Sequence, residues 1–146
     1  MNVTVRSAAE GDIPAILLLV ETALGYPQDE PQAAALRLGR ILHSPDYTTL
    51  VAVQGGAVLG FLGMMRALAY EFEGEYFRIV ALAVQKQAQR RGVGSLLLER
   101  AERLAQERRA ALLIVNSGLS RLPAHAFYEK HGFSKKGYGF SKKLDG

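Results

Sequence analysis

Gln89-Arg90-Arg91-Gly92-Val93-Gly94-Ser95 sets two cations against two glycines where an amphipathic helix begins. A helix start presents N–H groups without intrahelical partners and the positive end of the macrodipole. Gly92 and Gly94 carry no Cβ, so a bulky anion can come close to those amides. Arg90 and Arg91 add positive charge at the rim. That combination has what a pyrophosphate site needs, although a plain strand-to-helix turn would use the same glycines. Two nucleotide loops are excluded: there is neither a G-x-G-x-x-G followed by an acidic strand end nor a G-x-x-x-x-G-K-[ST].

The elements around this loop follow from periodicity. Residues 2–7 alternate like a short strand. Asp12 reads as an N-cap, with Pro14 in the first turn of a helix whose Ile13, Ile16, Leu17, Val20 and Leu24 share a face. Gly25 and Pro27 end it, and residues 30–43 form a second, weaker helix. Residues 47–54 and 57 onward are two strands joined by a hairpin at Gly55-Gly56. A third strand runs from about Glu75 to Val84 into the glycine loop. The helix after the loop, to Arg109, buries Leu97, Ala101, Leu104 and Ala105. Residues 111–115 are a continuous apolar run, as for a strand covered on both faces. Residues 123–132 form a short helix ended by Gly132. Residues 138–144 alternate and predict a last strand with lysines, suited to an edge. The order β-α-α-β-β-β-α-β-α-β predicts a mixed sheet with helices on its faces, in the α/β or α+β class, as one domain over 1–146.

Composition narrows the chemistry. The chain is 49% apolar and 22% charged, which argues against disorder. It has no cysteine, which excludes disulfides and thiolate metal sites, and its three histidines lack the spacing of a compact metal site. No secretory leader or bilayer-length apolar run is present, so a cytoplasmic protein is expected. Residues 1–77 carry four basic and nine acidic residues, net −5; residues 78–146 carry fourteen and five, net +9. A basic half suits nucleic acid, an acidic membrane or a phosphorylated small molecule; an acidic half suits a cation.

The stretch 82–101, "LAVQKQAQRRGVGSLLLERA", resembles the acetyl-coenzyme A signature of the GNAT superfamily of N-acetyltransferases. Gln89-Arg90-Arg91-Gly92-Val93-Gly94 matches its [QR]-x-x-G-x-[GA], and Ala124, Phe127, Tyr128, Gly132 and Phe133 match its late A-x-x-F-Y-x-x-x-G-F. The two motifs stand 35 residues apart in the family's order, and residues 3–16 resemble its first strand and helix.

The resemblance implies a mostly antiparallel twisted sheet with splayed central strands, into which acetyl-CoA, the acetyl donor, wedges. Leu82 and Val84 would pair with its pantetheine arm as a strand extension. Gln89, Arg90, Arg91, Gly92, Val93, Gly94 and Ser95 would surround the pyrophosphate, with Asn116 and Phe127 as further contacts. Tyr128 would protonate the departing thiolate; the plainer reading is a packed aromatic beside Phe127. Direct transfer to an amine needs no acyl-enzyme nucleophile, in keeping with the lack of cysteine. Two departures stand out. Many relatives carry a carboxylate in the strand before the loop, and residues 79–84 here hold none. Glu71, Glu73 and Glu75 lie just upstream as water-linked bases or as a solvated acidic hairpin. Where the family often has asparagine, this chain has Arg121, with His125 nearby; neither is assigned as the base. The acidic first half, with Tyr26, Asp29 and Glu30, predicts a cationic amine or peptide amine acceptor. A non-catalytic acyl-CoA-binding module is the alternative. A nucleic-acid-binding domain is disfavoured because no recognition signature accompanies the basic half. Homodimers are common in the family, and no membrane partner is expected.

Overall fold

The computed structural model describes residues 2–116, 122–137 and 139–144. They form two compact units, Met1–Ile114 and Val115–Gly146. The strands are β1 (Thr4–Ser7), β2 (Tyr47–Gln54), β3 (Ala57–Leu68), β4 (Glu75–Val84) and β5 (Leu112–Val115), and they lie in the sheet order β1-β2-β3-β4-β5. The first three neighbouring pairs are antiparallel. β5 starts beside the start of β4, where the Ala111 N–H donates to the Glu75 carbonyl at 2.8 Å, and so runs alongside β4 in the same sense. The result is the mixed sheet expected. The helices are α1 (Ile13–Thr22), α2 (Pro31–His43), α3 (Val93–Glu107) and α4 (Leu122–Lys130), with 3₁₀ turns at Glu10–Asp12 and Lys86–Ala88. Among the described residues, no helix is long and apolar enough to cross a membrane.

Over β2, β3 and β4 helices pack on both faces, since successive strand residues point to opposite sides. On one face Val51, Phe61 and Ala83 pack with Ile16 and Leu19 of α1 and Leu38 of α2. On the other, Gly60 lies against Leu97 of α3, and Leu50 and Leu62, paired across β2 and β3, share that side. α3 buries Val93, Leu97, Leu98, Ala101 and Ala105 at 3- and 4-residue spacing, while Leu104 is half-buried. Burial of Val93, Leu97 and Leu98 contributes about 1.5–3 kcal/mol each, and that of the two alanines less. That packing, rather than any cap, holds the helix start at the end of β4.

Gly55 and Gly56 have φ of 57° and 81°, the double positive φ that a two-residue hairpin turn demands. α4 ends in a Schellman motif: Gly132, at φ 90°, donates to Glu129 O and Phe133 donates to Tyr128 O, both at 3.0 Å.

Four expectations are corrected. Residues 139–144 carry no strand; Phe140 is 95% and Leu144 85% exposed, so alternation there buries no face. β5 is not covered on both faces: Leu112 is 48% exposed and the others are half-buried, with β5 at the end of the strand order among the described residues. Asp12 makes no side-chain cap of α1. Its carboxylate instead accepts from the Ala9 N–H at 2.8 Å and from both Arg6 guanidinium nitrogens at 2.7 and 3.0 Å. Those bonds, the Arg6 one first, hold the Asp12 carboxyl below its usual range. Leu19, left off the predicted face of α1, is one of its two buried residues.

Candidate active site

β4 delivers the chain to the loop. Leu82 pairs with Leu62 and Val84 with Gly60, which puts both on the α3 face of the sheet, half-buried. Gln85 leaves the ladder, its N–H on the Leu59 carbonyl at 2.8 Å and its side-chain amide on the Val58 carbonyl at 3.1 Å. The 3₁₀ turn follows, and Gln89 reaches back to donate to the Val84 carbonyl at 3.2 Å. Arg90 adopts φ 65°, an unusual conformation for a residue with a Cβ, and is exposed. Arg91 donates to Gln54 Oε1 at the end of β2, 3.1 Å away.

Gly92 is the N-cap of α3 at φ 83° and ψ 8°, in the left-handed region, and no side chain caps the helix. A Cβ built there would meet nothing within 4 Å. The first helical bond runs from Leu96 N–H to Gly92 O at 3.0 Å, so the amides of Val93 and Gly94 precede it. Val93 is 1% exposed and packs beneath the loop, so exposed Gly92 and half-buried Gly94 form the accessible part of the helix start. An open cradle at a helix N-terminus with cations at the rim fits a pyrophosphate.

β4 carries a second feature that the sequence did not announce. Gly63 pairs with Ala81 and Met64 with Ile79, so Val80 is an extra, bulged residue and is 52% exposed. Small Gly63 sits opposite, its missing Cβ 3.9 Å from both Val80 Cγ2 and Ala81 Cβ. Bulges turn backbone groups out of the ladder and often stand beside active sites.

The carboxylates upstream divide. Glu71 and Glu73 are exposed on the turn between β3 and β4. Glu75 is one-quarter exposed and accepts from Arg66 at 2.7 Å, with Arg108 at 3.9 Å. Arg66 also meets Asp46 at 3.7 Å. Glu75 thus ties β3, β4 and the end of α3 together.

In the region expected to shape the acceptor, Tyr26, Asp29 and Glu30 are all exposed. Gln28 organises that loop, taking Glu21 Oε1 on its N–H and donating to Tyr26 O at 2.7 Å. A cleft of about 320 Å³ between α1 and the β4 end is lined by Leu18, Thr22, Val58, Gln85 and Lys86 among others. A wider one of about 630 Å³ lies over α1 and α2, lined by residues including Glu10, Leu36 and His43.

The second unit holds the late motif. Tyr128 is half-buried in an aromatic group, its ring edge-on to Phe127 at 5.4 Å and to Phe133 at 5.8 Å. His131 stacks obliquely on Phe127 at 4.8 Å. Asn116 follows β5 and is exposed, 3.7 Å from where a Cβ on Gly139 would lie. His125 is half-buried on α4, and Arg121 lies outside the described residues.

The model of the acetyltransferase (GNAT) family matches residues 16–133. The chain belongs to that family. Among curated proteins, an IAA acetyltransferase of Azospirillum brasilense is 33% identical over 96 residues, 66% of this chain and 60% of the relative. This chain therefore spans about three-fifths of that protein's length. Among solved structures, a transcriptional regulator from Bacillus halodurans superposes with a TM-score of 0.91 at 23% identity, over 98% of this chain and 100% of the other. An aminoglycoside acetyltransferase from an uncultured soil sample, crystallised with sisomicin, superposes with a TM-score of 0.84 at 19% identity over 98% and 97%. At those identities both show the GNAT fold.

Proposed function

We propose that this GNAT acetyltransferase is one domain that moves an acetyl group from acetyl-CoA directly to a primary amine. The observation that carries the reading is the α3 start, where no side chain caps the helix and the space around a Cβ at Gly92 is open. Gly92, Val93, Gly94 and Ser95 would hold the pyrophosphate, with Gln89, Arg90 and Arg91 around it. Leu82 and Val84 would present strand backbone to the pantetheine, and Asn116 and Phe127 would add contacts. The bound thioester supplies an activated acetyl carbon. The chain's part is to orient that carbon, to offer a strand amide to its oxygen and to give a proton to the departing sulfur. The bulge at Val80 supports the second task and the motif position of Tyr128 supports the third. A C–N bond forms as the C–S bond breaks, and the amine proton leaves to water or a water-linked base.

The charge split supports a cationic acceptor, a small amine or a peptide amine. Thiol release measured across cationic, neutral and anionic amines tests the acceptor. Turnover confined to neutral or anionic amines would refute the cationic reading. IAA, which names the Azospirillum relative, belongs in the same panel. A second reading, an acyl-CoA-binding module without turnover, draws support from Glu75: the acid at the start of β4 is committed to Arg66. Acetyl-CoA binding without thiol release for any amine would favour it.

A further inference from the structure

Part of β3 outside both motifs underlies the donor loop. Ala52 pairs with Gly60 and Val53 with Val58, so Leu59 is an extra residue on β3. The carbonyls of Val58 and Leu59 both accept from Gln85, which begins the 3₁₀ turn. The Gln85 carbonyl accepts the Ala88 N–H at 3.0 Å, and Ala88 is 1% exposed. One residue further along β3, Gly60 touches the other side of the loop's base. A Cβ there would lie 2.8 Å from the Ala83 carbonyl oxygen, 3.2 Å from Val84 Cγ2 and 3.3 Å from Leu97 Cδ1. Gly60 is not among the residues with positive φ, so close approach, not backbone conformation, is what requires glycine.

We propose that Gly60 and Gln85 are positioning residues that set the place of the Val93 and Gly94 amides, and through them the affinity for the donor's pyrophosphate. The inference rests on the donor-loop reading above. Its lever is geometric. The contact with the Ala83 oxygen is with backbone and cannot be relieved by a rotamer change. A methyl at 60 therefore parts β3 from β4 or lifts Leu97. Leu97 stands one turn after Val93, about 6 Å along the axis, so lifting it displaces the helix start. Gln85 acts from the opposite end: without its side chain the turn before the loop loses its tie to Val58. A ligand held by oriented amides is sensitive to such shifts, since hydrogen bonds weaken steeply as their angle departs from linearity.

The test is acetyl-CoA affinity by calorimetry, alongside thermal unfolding, for wild type, Gly60→Ala, Gln85→Ala and Leu38→Ala. Leu38 is a core residue of α2 and supplies the stability control. The dissociation constant should rise about tenfold in Gly60→Ala and Gln85→Ala and stay within twofold in Leu38→Ala, even though Leu38→Ala melts lower. If Gly60→Ala does not fold, Gln85→Ala decides. Unchanged affinity in the folded variants overturns the inference, as does an equal loss in Leu38→Ala, which would make the effect general destabilisation. Failure of the wild type to bind acetyl-CoA is a different result: it removes the donor-loop reading and this inference with it.

Discussion

Two substitutions at Gly92 separate obstruction of the donor site from strain in the backbone. At φ 83° an alanine pays the left-handed penalty of about 1–2 kcal/mol and meets no steric clash, since nothing lies within 4 Å of its Cβ. Domains of this kind have about 5–15 kcal/mol in hand, so Gly92→Ala folds, with a Tm lower by roughly 2–8 °C. Binding should suffer more. A methyl in the cradle moves the phosphates off the Val93 and Gly94 amides. Each charge-assisted hydrogen bond contributes about 1.5–3 kcal/mol, so losing two raises Kd more than about a hundredfold. Gly92→Asn supplies the contrast. Asparagine tolerates the left-handed region, and its larger side chain occupies the same open space. It should melt near the wild type yet block acetyl-CoA as well as alanine does. Calorimetric titration of the three proteins, with their melting curves, is the assay. Wild-type affinity in Gly92→Ala would refute the argument. Loss in alanine with retention in asparagine would show that backbone strain, not obstruction, was responsible.

Tyr128→Phe should keep acetyl-CoA affinity within about threefold and lower kcat by about 10²–10⁴-fold, least at high pH; unchanged rates across pH would remove Tyr128 from the chemistry. Glu75→Gln weakens the tie to Arg66 and should cost about 1–3 kcal/mol in urea unfolding while kcat stays within about threefold. A hundredfold loss with a lost acidic limb in the pH–rate profile would instead make Glu75 the base. Asp12 has its folded-state pKa depressed by Arg6, so its contribution to stability is present above the unfolded value of about 3.9 and is lost as pH falls through the folded one. The stability gap between wild type and Asp12→Asn, measured by urea unfolding, should therefore be open at pH 7 and close in strong acid; a gap independent of pH would contradict the assignment.

What the sequence made legible was what local chemistry determines. β4 ends where apolar run gives way to Gln and Lys, and the hairpin sits on its two glycines. The loop before α3 and the Schellman end of α4 are set by glycines whose φ is positive. What it hid depends on partners across the sheet. Val80 reads as one more apolar strand residue, and only the pairing of Met64 with Ile79 makes it a bulge. Gly60 reads as a weak point in a strand until Leu97 and the Ala83 oxygen are seen around it. Glu75 reads as one of three upstream acids, a water-linked base or part of a solvated hairpin, and its bond to Arg66 at 2.7 Å shows only across the sheet. Asp12 has the look of a helix cap, but Arg6, on a strand six residues earlier, takes its carboxylate. Residues 139–144 show that alternation alone is not a strand where no face is buried.

The central claim is that the Gly92 loop holds the pyrophosphate of acetyl-CoA. Titrating the purified protein with acetyl-CoA by calorimetry, with free acetate as the control, tests it most directly. The account predicts micromolar binding of acetyl-CoA at one site and none of acetate. No heat of binding at millimolar acetyl-CoA, with or without a cationic amine present, would contradict it.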